Sequence, residues 1–267
     1  MRQFILGTLL CGLRARSLQA IFVLGLILIA VALLAGSFSA RQPQTVVLDV
    51  GLSCMRFSLV LLGVFWIQEL VAKEIDRRTV IFALTYPVPR YAYLMGRYFG
   101  ILVLLFAAAL ALALLLGLSV AAVNRGYEQS TPVLLGGPFW LAVFGVWLDV
   151  AVVVAFALWI AAISTVAILP IALGAAFAIA GRAVGAVLQY LMSGADGDRD
   201  LTATYLPILN VVQWFLPDLS RLDWRLWSMY GTAPAMESVG WAALMAIAYA
   251  TLMLGFAVRG FACREFN

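Results

Sequence analysis

The chain has 267 residues, 65% of them hydrophobic and 11% charged, with a mean hydropathy of +1.04; a soluble domain carries roughly 25% charged residues, so a water-soluble globular enzyme is excluded. The formal charge is +4, and the basic residues gather at the ends of apolar runs rather than in a patch, which points to membrane orientation and away from a nucleic-acid partner. Histidine is absent, which removes His-based general bases, Ser-His dyads, haem ligation and most transition-metal sites. Cys11, Cys54 and Cys263 are far apart and show no CxxC spacing, so they read as free thiols rather than a disulfide or zinc framework.

A spanning helix needs roughly 20 mostly apolar residues, and lipid obliges the backbone to satisfy its own hydrogen bonds. Runs of that length predict an all-α integral membrane protein, one transmembrane domain over residues 1–267. Residues 1–17, MRQFILGTLLCGLRARS, place Phe4, Ile5, Leu9 and Leu13 near helical spacing ahead of Arg14 and Arg16, which fits a helix lying in the inner interface or a ragged extension of the first span. No small-residue cleavage pattern follows the first span, so no cleaved leader is expected. Six spans are predicted, near 18–38, 51–72, 97–123, 139–163, 166–191 and 238–258. The fourth and fifth are separated only by Ser164 and Thr165, with Pro170 a turn later, a junction that also reads as one long or re-entrant segment.

With the N-terminus inside, ten basic residues fall on inner segments: Arg2, Arg14, Arg16, Lys73, Arg77, Arg78, Arg90, Arg97, Arg259 and Arg264. Five fall outside: Arg41, Arg125, Arg199, Arg221 and Arg225. The bias places both termini in the cytoplasm of a multi-pass protein of the cytoplasmic membrane. The outer loop from Ser193 to Glu237 mixes Trp214, Trp224 and Trp227 with charged residues and Pro217, and is too short for a core of its own. Short interfacial or re-entrant helices are expected there.

The most unusual stretch is Glu74 to Arg97, EIDRRTVIFALTYPVPRYAYLMGR, charged sequence between two oily spans. Glu74 with Arg78, and Lys73 with Glu69, stand at i,i+4 and would each contribute a few tenths of a kcal/mol as ion pairs. Thr79 suits a helix N-cap, and Pro87 and Pro89 stop helix continuation, which confines Val80, Ile81, Phe82 and Leu84 to a short helix off the bilayer. Burying such side chains is worth roughly 1.5 to 3 kcal/mol each, so the helix calls for a groove on another protein.

At these residues the chain resembles the permease subunits of ABC-2 type ATP-binding cassette transporters. In that family a Glu, a Gly-Thr, an apolar helix, a Pro turn, a basic residue and Leu-x-Gly-Lys join spans two and three. Glu74, Thr79, the VIFAL run, Pro87, Arg90, Leu94 and Gly96 take those places, with Arg97 where Lys is usual and Arg78 where the family has Gly. LPDLSRLD, with Leu216, Pro217, Asp218 and Arg221, resembles the family's outer-loop segment, and the terminal FACREFN its basic tail. The resemblance implies that Val80 to Leu84 is a cytoplasmic coupling helix between spans two and three, flanked by Glu74, Arg77, Arg78 and Arg90. ATP hydrolysis needs a G-x-x-x-x-G-K-[ST] loop, which this chain lacks. A separate ATPase subunit holding ATP and Mg is therefore implied, with no cofactor in this chain. By the same resemblance the unit holds two permease copies, a homodimer, with a substrate cavity from spans two and five, and an extracytoplasmic partner is an open option.

Charges deep in lipid cost at least about 2.5 to 3.5 kcal/mol and face a partner or a cavity. Asp149 and Arg182 both lie roughly 12 to 15 Å deep on consecutive antiparallel spans, so a direct pair is expected. Arg56 lies shallower on span two, and Gln68 and Glu69 near its inner end, where they line a path or meet headgroups. Gly96 to Gly100 and Gly181 to Gly185 permit close helix approach. The leading expectation is an exporter's membrane subunit with no catalytic or metal-binding residue of its own. The alternatives are a membrane enzyme acting on lipid or peptide through Glu69, Glu74 and Asp76, and a non-transporting assembly scaffold.

Overall fold

The computed structural model describes residues 2–39, 41–77, 79, 89–123, 133–192 and 216–264. Among the described residues six helices are long and apolar enough to cross a membrane, and they follow one another in the order the apolar runs predict. We number the helices α1 (Arg2–Arg14), α2 (Arg16–Ser37), α3 (Pro43–Ile67), α4 (Lys73–Asp76), α5 (Arg90–Val123), α6 (Gly137–Ile163), α7 (Leu169–Met192), α8 (Arg225–Tyr230) and α9 (Met236–Ala262). A π-helical turn, Gln68–Ala72, joins α3 to α4 without a break, so the second span runs for 34 residues from Pro43 to Asp76. That is longer at both ends than the apolar run by itself suggests. The third span is also longer, beginning at Arg90 rather than at Arg97.

Helix α6 is apolar around its whole circumference, the pattern of a helix enclosed by others. It is the central post: 78% of its span is buried, against 22% for α2 and 28% each for α7 and α9. Helix α3 lies beside it, and Gly63 lets Val154 of α6 approach where a side chain would collide. The junction after α6 is a true break. Ser164 is extended and its hydroxyl accepts the Val166 N–H at 3.0 Å, while Pro170 occupies the first turn of α7, where a missing N–H costs nothing.

Helix α1 does not lie flat. Phe4 meets Tyr93, Thr8 meets Gly100, and Gly12 meets Leu104, so α1 runs parallel to the first four turns of α5 as a steep brace. Its polar Thr8 is buried against that helix, while Leu6, Leu10 and Leu13 are exposed on the outer face. An apolar outer face over a polar inner contact suits lipid contact, the reverse of a helix presenting its polar side to water.

Candidate functional site

Two polar assemblies lie at opposite ends of the bundle. At the end where α4 meets the start of α5, Glu74 of α4 accepts a hydrogen bond from the Tyr93 hydroxyl at 2.6 Å and forms an ion pair with Arg97, both on α5. Arg97 lies 5.5 Å from the Tyr93 ring centroid and also points at the Thr8 hydroxyl at 3.4 Å. Tyr93 is itself held between the edge of Phe4 and the face of Phe261, with centroids 5.7 and 5.8 Å away. Arg90 donates to the carbonyl oxygens of Ala262 and Arg264 at the end of α9, and Arg264 donates to those of Ala162 and Ser164 at the end of α6. The two helix ends that flank the 77–89 stretch are thus tied to each other and to α1, α6 and α9.

Of the two local pairs expected for the segment, Lys73 with Glu69 is not formed, and Glu74 with Arg78 falls partly outside the described residues. Glu74 is held by Tyr93 and Arg97 across the helix pair, and Arg78 lies outside the described residues. Among the described residues no ion pair joins Lys73 to Glu69; Glu69 accepts instead from the Ser17 hydroxyl at 2.6 Å. Arg77 is exposed, and the Thr79 hydroxyl donates to the Glu74 carbonyl at 3.1 Å, so Thr79 closes the end of α4. Val80, Ile81, Phe82, Leu84 and Pro87, the expected coupling helix and its turn, also lie outside the described residues. Glu69, Glu74 and Asp76 do not form a group that could hold a metal, and no group of three acids or thiols that could do so occurs among the described residues.

The opposite end holds a partly buried charge cluster built around a segment that folds back against the helices, residues 216–230, in which Arg56 and Asp149 are fully buried. Leu219 packs on Gly181 halfway along α7, Asp218 and Ser220 on Gly185, and the Leu222 carbonyl on Gly145 of α6. The glycines admit this segment because a Cβ at any of the three would collide with it. The Gly181 to Gly185 spacing therefore serves the segment's entry, and Gly100 serves α1. Asp218 caps a 3-10 turn, Leu219–Leu222, accepting from the Ser220 N–H at 3.1 Å and its hydroxyl at 2.6 Å, with Arg221 on its other oxygen at 3.1 Å. Leu216 and Pro217 lead into that turn. Ser228 fixes the far end by exchanging bonds with the backbone of Leu134.

Asp223 is the hub. One of its oxygens meets Arg182 at 2.8 Å, Arg56 at 3.3 Å and Arg225 at 2.5 Å. Arg225 reaches on to Asp49 and to Ser53 at 3.0 Å, while Arg56 stands 3.0 Å from Asp149. Three arginines and three aspartates make the cluster neutral. Burial would raise the Asp223 pKa, but the hydrogen bond from Arg225 and the charges of Arg56, Arg225 and Arg182 hold it well below the usual carboxylate range. Arg225 is likewise opposed by burial yet held above its ordinary value by Asp223 and Asp49.

The expected direct pair of Asp149 with Arg182 is not formed. Asp149 faces Arg56, because α3 rather than α7 presents a guanidinium to that side of α6, and Arg182 turns to Asp223. The Arg56 Nε and Asp149 Oδ2 are close enough for attraction but not aligned as a hydrogen bond, and neither atom has another partner. Asp223, Arg225, Asp49 and Tyr93 were not singled out from sequence. A charge count carried the signal for Asp223: two intramembrane arginines and one aspartate leave a positive charge needing a further acid. No protein-family model matches this chain, and no curated protein matches it.

Proposed function

We propose that the chain is the membrane-spanning subunit of an ABC-2 type transporter, an exporter working as a homodimer with two copies of a separate ATPase. The observation that carries this reading is the clamp between α4 and α5. Glu74, Tyr93 and Arg97 lock together the two helices that flank the apolar, proline-ended stretch of sequence from Val80 to Pro87. A force applied to residues 77–89 by a soluble subunit reaches α4 and α5 as one body, and passes through Arg90 and Arg264 to α9 and α6. The chain supplies no phosphate chemistry in this scheme; ATP and Mg belong to the partner.

At the other end, the arginine cage around Asp223 keeps the folded-back segment seated among α3, α6 and α7. Opening of an outward pathway would then require the cluster to separate or to move as a unit. The test is to co-express the chain with the product of an adjacent reading frame that carries a Walker A loop. Co-purification, and ATPase activity that depends on the membrane subunit, are expected. Phe82→Asp should abolish transport while membrane insertion is unchanged; transport at the original rate would remove residues 80–84 from the coupling role.

A further inference from the structure

We propose that a groove between α6, α7 and α9 binds the acyl chain of an anionic phospholipid from the leaflet at which α9 ends, with Arg259 meeting its headgroup. The groove encloses about 750 Å³ and is lined by Phe156, Trp159, Phe177, Leu216, Leu252 and Phe256 among others, with no charged residue in its wall. Leu252 and Phe256 form an exposed rim, so it opens sideways from the bundle. Its walls are set by ring packing. Phe156 and Phe177 stack with centroids 4.2 Å apart, and Trp159 sits 5.6 Å from Phe256. A preformed apolar recess at this depth in a membrane protein takes hydrocarbon in preference to water.

Its length selects the occupant. On α9 the groove runs from Ala248 to Phe256, ~12 Å at helical rise, close to the ~15 Å that one leaflet contributes to the hydrocarbon core. On α7 the groove is lined from Leu173 to Ala180, the first half of that helix, and Leu219 and the Pro217 carbonyl occupy the space beside Gly181 that follows, so the recess stops near mid-bundle. A helix from a second copy would call for a furrow along the full height of α9. An acyl chain of one leaflet fits the shorter recess. Charge completes the match: Arg259 follows Leu252 by two helical turns and Phe256 by one, is exposed, and has no ion-pair partner among the described residues. It therefore stands at the mouth of the groove, where lipid headgroups lie.

The test needs no ATPase, so its outcome is independent of the transport reading. The purified chain is placed in phosphatidylcholine vesicles containing a trace of phosphatidylglycerol with a photoreactive acyl chain, irradiated, and its adducts are mapped by mass spectrometry. Adducts should concentrate on the peptides of Trp159, Phe177 and Phe256 rather than on the exposed face of α2 around Val23 to Leu34. Arg259→Gln should lower the groove adducts about fivefold and leave those on α2 unchanged, and a phosphatidylcholine probe should lose this dependence. Ala176→Trp should empty the groove of both probes. Equal labelling of groove and α2, indifference to Arg259→Gln, or cross-links from the groove to a second copy would each overturn the proposal.

Discussion

Removing a charge from water costs several kcal/mol, and in the cluster around Asp223 the buried Arg56 and Asp149 and the largely buried Asp223 persist only because each has an opposite partner. Asp223 has three, which makes it the most costly to lose. Asp223→Asn should destabilise the solubilised protein by about 3 to 5 kcal/mol, read as a fall in thermal midpoint, because three arginines are left with too little negative charge. A midpoint shift no larger than that of Asp218→Asn would show that the cage is dispensable. The sign of the pH response follows from the depressed pKa of Asp223. Its stabilising contribution is complete above the ordinary carboxylate pKa of about 4 and is lost as pH falls from there toward the folded-state value. The contribution should therefore be flat from pH 8 to 5, and the midpoint difference between the parent and Asp223→Asn should shrink below pH 4. A double-mutant cycle separates the pairings. Asp149→Asn with Arg56→Gln should show a coupling of about 0.5 to 3 kcal/mol, larger than that of Asp149→Asn with Arg182→Gln.

Among the elements, the folded-back segment depends most on what faces it. Glycine positions on α6 and α7 form its seat, and at Gly145 the opposing atom is the backbone carbonyl of Leu222, which has no flexible end to swing aside. Gly145→Ala should cost about 1 to 3 kcal/mol through overpacking. Gly240→Ala, with nothing within 4 Å, should be neutral or slightly stabilising. Equal thermal midpoints for the two variants would mean that the segment is not seated as described. The elements also explain why periodicity left two readings of α1 open, of which the extension of the first span fits its packing along α5. Amphipathic spacing reveals that a helix has two unlike faces, but not which medium each one meets. Here the polar side lies against Arg97 and the leucines face outward.

At the scale of the whole molecule, the distribution of basic residues predicts that both chain ends face the cytoplasm, and Cys263 offers a direct check because it is exposed at the end of α9. In a variant keeping only that cysteine, a membrane-impermeant maleimide should label the protein after permeabilisation and not in intact cells. Labelling of intact cells would invert the orientation. The amino-acid sequence by itself determined the class of architecture: six apolar runs long enough to span, their order, and the unusual polarity of the stretch from Glu74 to Arg97. Those are local properties, since hydropathy and helical length depend on neighbouring residues. It also marked Asp149 and Arg182 as charges that required partners, and left Arg56 to a path or the headgroups. Only the tertiary structure decided who the partners were, because Arg56 and Asp223 are 167 residues apart and Asp49 and Arg225 are 176 apart. Their meeting depends on a folded-back turn whose entry is governed by space beside three glycines. Composition can state that a buried charge must be neutralised, but three-dimensional packing chooses the residue that does it.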